Sequence, residues 1–190
     1  MNEFEHEPIP GLPARLPPGE ELLWQGSPEW RAVARRVMHV RGVSCYFAAI
    51  IAWRIASGWY DGQAARQIAE STLWLLGLGL ATLAFLLWVA HLIARGTVYS
   101  ISTQRVVMRF GIALPIALNI PFRTVSAAGL KVYADGTGDI PLRLNGDGRV
   151  AYLHLWPHAR PWMLNRAEPM LRGIPHAQAA ASILSRALAA

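Results

Sequence analysis

The feature that most constrains this chain is a run of 23 residues, Thr72–Ala94, that contains no charged side chain and a single histidine. At about 1.5 Å of rise per residue, a helix of this length covers about 34 Å, which exceeds the roughly 30 Å hydrocarbon core of a bilayer. A second apolar stretch, Val43–Tyr60, has 18 residues and one charge, Arg54. The link Asp61–Ser71 would join the two runs into a transmembrane helical hairpin.

The amino-acid composition also indicates a membrane protein. Hydrophobic residues make up 53% of the 190 residues and charged residues only 16%, whereas soluble domains carry roughly 25% charged residues. The net charge of +6 is unevenly distributed, because residues 1–29 hold six acids and one base. A basic body behind an acidic lead suits a protein that lies beside anionic lipid. The one cysteine, Cys45, excludes a disulfide within the chain and a cysteine-based metal site.

Four segments follow from these patterns. Residues 1–28 form an acidic, proline-rich lead without the pattern of a cleavable signal peptide, and Glu20–Gly26 can form a first strand within it. Residues 29–41 predict a basic amphipathic helix at the membrane interface, 42–94 the two-helix hairpin, and 95–190 a cytoplasmic domain. Arginines flank the hairpin but are scarce in its link, so the positive-inside rule places both termini in the cytoplasm. We therefore expect a multi-pass protein of the cytoplasmic membrane, either the inner membrane or an intracytoplasmic one.

The last segment switches to an alternation of period two, which predicts an antiparallel β domain. A hairpin of Thr97–Thr103 and Arg105–Phe110 opens the series. The following alternating positions are Leu118, Ile120, Phe122, Leu130, Val132, Ile140, Leu142, Leu144, Ala151, Leu153 and Leu155. Asp135-Gly136 and Asn145-Gly146 supply turns. After Pro175 a final helix carries an apolar stripe made of Ala180, Ile183, Leu184, Ala187 and Leu188.

Three parts of the sequence resemble a bacterial pleckstrin-homology-like domain. They are the segment LPPGEELLWQGSPEW (16–30), the pattern Tyr99-x-Ile101-Ser102-Thr103-x-Arg105, and the final helix. The resemblance implies a seven-stranded barrel that is capped by a C-terminal helix. The expected fold class is thus a membrane α-helical hairpin plus a small antiparallel β barrel with its helical cap.

Two further segments resemble the PuhB family of photosynthetic-complex assembly proteins from purple phototrophic bacteria. They are ADGTGDIPLRL (134–144) and AYLHLWPHARPW (151–162). The resemblance implies a role in assembling the photosynthetic reaction centre and its light-harvesting ring, without known catalysis. The implied partners are reaction-centre subunits and light-harvesting polypeptides, together with other assembly factors, membrane lipid or a second copy of the chain.

Two features of the apolar stretches are candidate contacts for a partner helix. Arg54 either pairs with a carboxylate of a partner or snorkels toward the interface near Tyr60, with snorkelling favoured. Gly77 and Ala81 form a small-xxx-small pair, and Gly79 and Thr82 broaden this small surface. Such a pair allows close approach of helices, either within the hairpin, which is favoured, or to a partner.

The connection between the predicted sheet and the final helix is rich in tryptophan and proline. Its candidate partner contacts are Trp156, His158, Arg160 and Trp162. Tryptophan and arginine are typical anchors of protein interfaces. The alternative is that the two tryptophans cover the end of the barrel or dip into the lipid headgroups.

Another set of residues is suited to the surface of an anionic membrane. These candidates are Trp30, Arg31, Arg35, Arg36, Arg41 and Arg95. They flank the two predicted spans, where tryptophan and arginine are common at the interface.

Histidines raise the question of a metal or pigment ligand. His91 could hold the magnesium of a bacteriochlorophyll, but Leu87 stands one turn before it, where light-harvesting helices usually have a small residue. His154, His158 and His176 lack an acidic or cysteine partner at a suitable spacing, which favours structural roles. We expect no metal and no cofactor.

Catalysis and nucleic-acid binding are both disfavoured by the sequence. It lacks a nucleophile with a base, a phosphate loop and paired carboxylates, so we expect no enzyme. The basic residues of the β domain are spread along strands and are not clustered with stacking aromatic residues. Two alternatives to an assembly factor stay open: a generic membrane-anchored module that binds lipid or peptide, and a bacteriochlorophyll carrier.

Overall fold

The computed structural model describes residue 12 and residues 16–112, 114–145, 152–161, 163 and 167–189. The chain divides into two units. We call the first unit the sheet domain; it comprises the chain up to Val33 and from Leu92 onward. The second, Ala34–His91, is the helical unit.

The first sheet of the sheet domain has four antiparallel strands in the order β1-β2-β3-β4. They are β1 (Leu22–Gly26), β2 (Val98–Ser102), β3 (Arg105–Phe110) and β4 (Ile116–Pro121). Strands β2 and β3 form the predicted hairpin, in which Tyr99 lies opposite Met108. Strand β1 pairs with β2 although the whole helical unit lies between them in the sequence. The predicted first strand and the predicted β-hairpin of β2 and β3 are confirmed.

The second sheet is built around one long strand. Its strands are β5 (Val125–Ala128), β6 (Lys131–Val132), β7 (Gly138–Leu144) and β8 (Met170–Ile174), and a short 3₁₀ turn (Phe122–Thr124) precedes them. Strand β7 pairs antiparallel with each of the other three. The antiparallel β architecture is therefore confirmed. The described strands number eight and pair in two sheets, so the closed seven-stranded barrel that the family resemblance implied is not confirmed.

The prediction of a strand through Leu153 and Leu155 is wrong. Tyr152–Leu155 forms one helical turn, α4, and Ala151 lies outside the described residues. The pairing position beside β7 is taken by β8, a strand that the sequence analysis missed. Leu155 still enters the core, because a single helical turn can bury one such side chain as well as a strand does.

The two sheets and the final helix, α5 (Ala177–Ala189), share one hydrophobic core. Its largest fully buried side chains include Tyr99, Ile101, Met108, Ile140, Leu142, Leu171 and Ile174. Helix α5 contributes Ala177, Ala180 and Leu184 to the core, and Leu188 packs against it, so the predicted apolar stripe is confirmed at Ala180, Leu184 and Leu188. The close approach of α5 to β7 requires a glycine, Gly138, at the start of the strand.

Replacing Gly138 with alanine is expected to destabilise the sheet domain. A Cβ atom at this position would lie 2.6 Å from both the Ala177 Cβ atom and the Lys131 carbonyl oxygen. Because both neighbours belong to packed elements, α5 and β6 would have to move, and overpacking of this kind costs about 1–3 kcal/mol of unfolding free energy. Chemical denaturation followed by tryptophan fluorescence measures the change. The control is Gly77→Ala, where a Cβ meets nothing within 4 Å; an equal loss in both variants would contradict the expectation.

The prediction of one interfacial helix over residues 29–41 is only partly correct. Helix α1 (Trp30–Arg36) ends before His39, whose backbone is left-handed at φ 52°, and helix α2 (Val40–Tyr60) begins after it. The Ala32 and Val33 side chains are buried. The Glu29 backbone N–H donates to the Gly173 carbonyl oxygen at 2.8 Å, which fastens the start of α1 to β8. The apolar face of this first turn therefore packs on protein and not on lipid.

The helical unit consists of α2 and of most of α3 (Ala65–Arg95). The Phe47 ring of α2 lies against Gly79 of α3, and Ile68 lies against Gly58, where added Cβ atoms would come within 3.1 Å and 2.7 Å of the neighbouring side chain. In the described part of the chain, α3 is the one helix that is long and apolar enough to cross a membrane. Large apolar side chains of α3 are exposed, among them Leu73, Trp74, Leu78, Leu80, Phe85 and Trp88.

Candidate interaction surfaces

A groove of about 510 Å³ lies on the outer face of the second sheet. The alternation of β7 directs Ile140 and Leu142 into the core and places Asp139, Pro141 and Arg143 along the groove. Further lining comes from Ala127, Ala128, Gly129, Leu130, Lys131, Tyr133, Arg160, Pro161, Glu168, Met170 and Arg172. Four of these residues are cationic and two are acidic, so the groove carries an excess of positive charge.

The two acidic residues of the groove are already occupied by hydrogen bonds. Glu168 accepts from Arg143 Nε at 3.2 Å and from Arg160 Nη1 at 2.8 Å. Burial opposes ionisation of Glu168, but the hydrogen bonds from the two arginines outweigh it and lower the pKa of this carboxyl group. Asp139 accepts from the Tyr133 hydroxyl at 2.7 Å and from the Gly173 backbone N–H at 2.8 Å. The arrangement therefore suits an anionic ligand group, such as the carboxylates of an acidic protein segment.

A buried chain of hydrogen bonds passes through His158, which is 2% exposed. The Thr97 hydroxyl donates to the Ile93 carbonyl oxygen at 2.7 Å, so its oxygen accepts from His158 Nε2 at 3.2 Å. His158 Nδ1 then accepts from the Tyr99 hydroxyl at 2.6 Å, and that hydroxyl oxygen accepts from the Arg172 backbone N–H at 3.2 Å. The chain of bonds ties the last turn of α3 to β2 and β8.

The environment of this network keeps its two titratable groups neutral. Burial, assisted by the charge of Arg172, lowers the pKa of His158 to about 3. Burial also raises the pKa of the Tyr99 hydroxyl well above its usual range. A neutral imidazole can accept at Nδ1 while it donates at Nε2, which is the pattern that the neighbouring hydroxyl groups require.

The prediction that His158 contacts a partner is therefore wrong, because its ring lies inside the sheet domain. Trp156, which is 51% exposed, is available for contact. Arg160 lines the groove while it is bonded to Glu168, and Trp162 lies outside the described residues. The sequence predicts one partner surface from all four residues, but the structure separates a buried histidine from two surface residues.

The candidate contacts of the helical unit lie in two places. The Arg54 guanidinium reaches the connection after α2, where Nη2 donates to Gln63 Oε1 at 2.7 Å. This is the direction that snorkelling predicted. Gly77 and Ala81 are exposed on α3, and a Cβ on Gly77 would meet nothing within 4 Å. The small surface was predicted to pack within the hairpin, and its member Gly79 does contact Phe47 of α2, whereas Gly77 and Ala81 stay exposed.

An apolar groove of about 400 Å³ lies within the helical unit. Its lining is Ile55, Trp59, Ala65, Ile68, Ala69, Thr72, Leu73 and Leu76. Among the described atoms, the buried Thr72 hydroxyl lacks a hydrogen-bond partner. An apolar groove with one hydroxyl is suited to a side chain or backbone carbonyl of a neighbouring membrane helix.

The residues predicted to lie at the lipid surface are spread over both units. Trp30, Arg31, Arg41 and Arg95 are exposed, whereas Arg35 and Arg36 are half-buried. The Arg31 guanidinium lies 5.5 Å from the centre of the Trp30 ring. His91 is exposed near the end of α3. In the described ranges, the histidine, cysteine, aspartate and glutamate residues form no group of three that could hold a metal ion.

One interaction that the sequence analysis missed joins the segment before β1 to the start of β3. Glu20 is buried, and its carboxylate accepts from Arg105 Nε at 2.7 Å and from Arg105 Nη2 at 2.5 Å. Ser102 Oγ donates to the same carboxylate at 2.5 Å. The hydrogen bond from Arg105 is the main reason that the pKa of Glu20 is lowered, with Ser102 assisting against burial. Arg105 is thus a structural residue and not part of a lipid-facing surface.

Known proteins are similar to this chain over most of its length. A family model described as a bacterial PH domain matches residues 46–188. A Rhodobacter capsulatus protein, described as an uncharacterized 23.7 kDa protein in the puhA 5' region, is 36% identical over 187 residues. That match covers 98% of this chain and 87% of the other protein. No solved structure matches the chain.

Proposed function

Because the chain belongs to the bacterial PH domain family, we propose that it is a membrane-embedded assembly factor for the photosynthetic reaction centre and its light-harvesting ring. The 36% identity to the puhA-region protein supports an association with photosynthesis genes and is consistent with a PuhB-like protein. The resemblance to the PuhB family adds the assembly role. The proposed activity is transient binding of unfinished subunits, without catalysis.

The proposed role requires that the protein is embedded in the membrane. The observation that supports this embedding is the exposed apolar surface of α3. Only 11% of the most apolar window of this helix is buried within the protein. Contiguous apolar surfaces of this size are not stable in water, and they mark contacts with lipid or with other proteins. A spanning α3 holds the protein in the same bilayer as newly inserted pigment-protein subunits.

The pairing of β1 with β2 supports a second crossing of the membrane. Strands of one sheet lie in one compartment, so the chain between Gly26 and Val98 crosses the bilayer an even number of times. With α3 crossing once, we assign the second crossing to α2 on its length, because its 21 residues cover about 31 Å, although α2 is less apolar than α3. Its charge, Arg54, reaches the connection after α2 and bonds there to Gln63. We therefore propose a hairpin with both termini in the cytoplasm, as the arginine distribution predicts.

The proposed mechanism combines two contacts to one unfinished complex. The spans offer the exposed Gly77–Ala81 surface and the apolar groove beside Thr72 to partner helices. The positive groove of the sheet domain offers a docking site for acidic cytoplasmic segments. Two weak contacts on one chain act together, since the first raises the effective concentration for the second.

Deletion of the gene tests the proposal directly. We expect a lower amount and slower accumulation of reaction centres, measured by membrane absorbance after induction, and recovery on expression of the wild-type chain. The tagged chain should also co-purify with reaction-centre subunits from assembling membranes. Normal assembly in the deletion strain would contradict the role. A bacteriochlorophyll absorbance band in the purified protein would instead favour the carrier alternative.

Reversing one charge in the groove tests the docking site. Lys131 lines the groove without touching Glu168, and its ammonium lies 5.2 Å from the centre of the Tyr133 ring. We expect Lys131→Glu to reduce co-purification of the subunits about 5-fold to 10-fold, because a like charge would face an acidic partner. Arg123→Glu makes the same change of charge at an exposed position outside the groove lining and should have little effect. Equal losses in both variants would indicate a general charge effect and contradict docking in the groove.

A further inference from the structure

The loop between β3 and β4 and the first residue of β4 present large apolar side chains to the outside. Ile112 is 53% exposed, Leu114 81% and Ile116 43%. On the strands that flank this loop, Phe110 and Ile120 are buried in the core. An ordinary hairpin turn in contact with water carries polar residues and glycine, so three exposed aliphatic side chains point to a contact outside the sheet domain.

The loop lies directly at the end of α3. A Cβ atom on Gly96, the residue after the helix, would be 2.5 Å from the Gly111 carbonyl oxygen. Gly111 itself has φ 130°, and a Cβ there would overlap the Leu114 carbonyl group. The backbone therefore folds tightly over Gly111 and holds the loop against the helix end. Both segments belong to the sheet domain.

The position of the helix end identifies the surface that the loop meets. The uncharged run of α3 stops at Ala94, and the exposed Arg95 follows it. In a spanning helix this change from apolar to basic residues marks the headgroup region. Arg95 precedes Gly96 and Arg109 lies two residues before Gly111, so both add positive charge near the start of the loop, which favours an anionic leaflet.

We infer that Ile112 and Leu114 of the β3–β4 loop and Ile116 at the start of β4 insert their side chains into the cytoplasmic leaflet beside the end of α3. This inference rests on the proposed membrane span, and it gives the sheet domain its own contact with lipid. The occupant of the apolar surface is the bilayer, because the loop continues the membrane-facing end of the helix. At this depth the aliphatic side chains leave water and lie at the boundary between the lipid headgroups and the acyl chains.

Site-specific fluorescence in nanodiscs tests the inference on the full chain. Cys45→Ala removes the native thiol, and Leu114→Cys introduces a site for an environment-sensitive dye. The nanodiscs contain phosphatidylcholine and phosphatidylglycerol, with or without a lipid that carries a nitroxide quencher near the top of its acyl chain. We expect the quencher to remove about half of the Leu114→Cys emission, as for a group at the headgroup boundary.

Two further label positions make the outcomes distinguishable. Leu80→Cys reports the middle of α3, and Ser185→Cys reports an exposed position on α5. Quenching at positions 80 and 114 but not at 185 supports the inference. Quenching at position 80 without position 114 overturns the loop insertion and leaves the span standing, whereas no quenching at position 80 overturns the span. Protection of position 114 by a protein partner, without lipid quenching, also overturns the inference.

Discussion

Replacing His158 with leucine is expected to lower the free energy of unfolding by about 2–4 kcal/mol, because it leaves the buried Tyr99 hydroxyl without its acceptor. The leucine also removes the donor to Thr97 Oγ1. The site cannot admit water without disturbing the core, since Tyr99 and His158 are both almost fully buried. Denaturant titration in detergent, monitored by near-ultraviolet circular dichroism, measures the loss.

A double-mutant cycle separates the hydrogen bond from the change of shape. Tyr99→Phe removes the hydroxyl and keeps the ring, so His158→Leu should cost less in that background than in the wild-type chain. We expect a coupling free energy of about 1–2 kcal/mol between the two positions. Fully additive losses would contradict a direct bond between Tyr99 and His158.

The same residue makes stability depend on pH in a defined window. The folded pKa of His158, about 3, is depressed below its unfolded value of 6.5. The unfolded state therefore binds a proton that the folded state excludes, and stability falls as pH drops below 6.5, by at most about 1.4 kcal/mol per unit for one proton. His158→Leu should flatten this dependence between pH 6.5 and 5, above the range where the carboxyl groups titrate.

Removing Arg105 is the second change with a large expected effect. Arg105→Ala leaves the Glu20 carboxylate buried with Ser102 as its remaining side-chain donor. The uncompensated charge should cost about 2–3 kcal/mol of unfolding free energy near pH 7. The matched control is Arg143→Ala, because Glu168 keeps Arg160 and the Arg143 side chain is largely exposed. That variant should lose less than about 1 kcal/mol.

Acid titration checks the assignment of this ion pair. In the wild-type chain the lowered pKa of Glu20 stabilises the fold above the unfolded value of 4.5, and this contribution disappears as pH falls through the lower folded value. The Arg105→Ala variant lacks the hydrogen bond that contributes most to the lowered pKa of Glu20 in the folded state. The difference in stability between the two proteins should therefore narrow as the solution is acidified. A difference that stays constant from pH 7 to 3 would contradict the role of the charge.

The elements with a regular hydrophobic period were predictable from the sequence. The alternation in β2 and β3 and the stripe on α5 place large apolar side chains in the core at a fixed spacing. Helix α3 was predictable for a different reason, because its long run of residues carries no charge. Strand β8 lacks this signal, because Met170, Leu171, Gly173 and Ile174 are all buried and Gly173 is left-handed. The strand prediction for Tyr152–Leu155 failed for the opposite reason. Three alternating apolar residues fit a strand as well as they fit a helical turn.

The interaction surfaces were harder to predict because distant segments build them. The outward positions of β7 could have been read from its alternation, but Arg160 and Glu168 reach the groove from the connection that precedes β8. One signal was present: Glu168 is the single acidic residue after Asp147 and stands among several arginines. Nothing in the sequence marked His158 as buried, because its partners, Thr97 and Tyr99, lie about 60 positions away.

The separation of β1 from β2 also has a consequence for the timing of synthesis. A chain of 71 residues separates Gly26 from Val98, so the ribosome completes both long helices before the first strand has a partner. At about 5–20 residues per second this delay lasts roughly 4–14 s. During that interval the edge of β1 is unpaired, while membrane insertion of the helices is already under way. The pairing of β1 with β2 can therefore form only after both long helices have been synthesised. A nascent chain that stalls before Val98 cannot form this pairing.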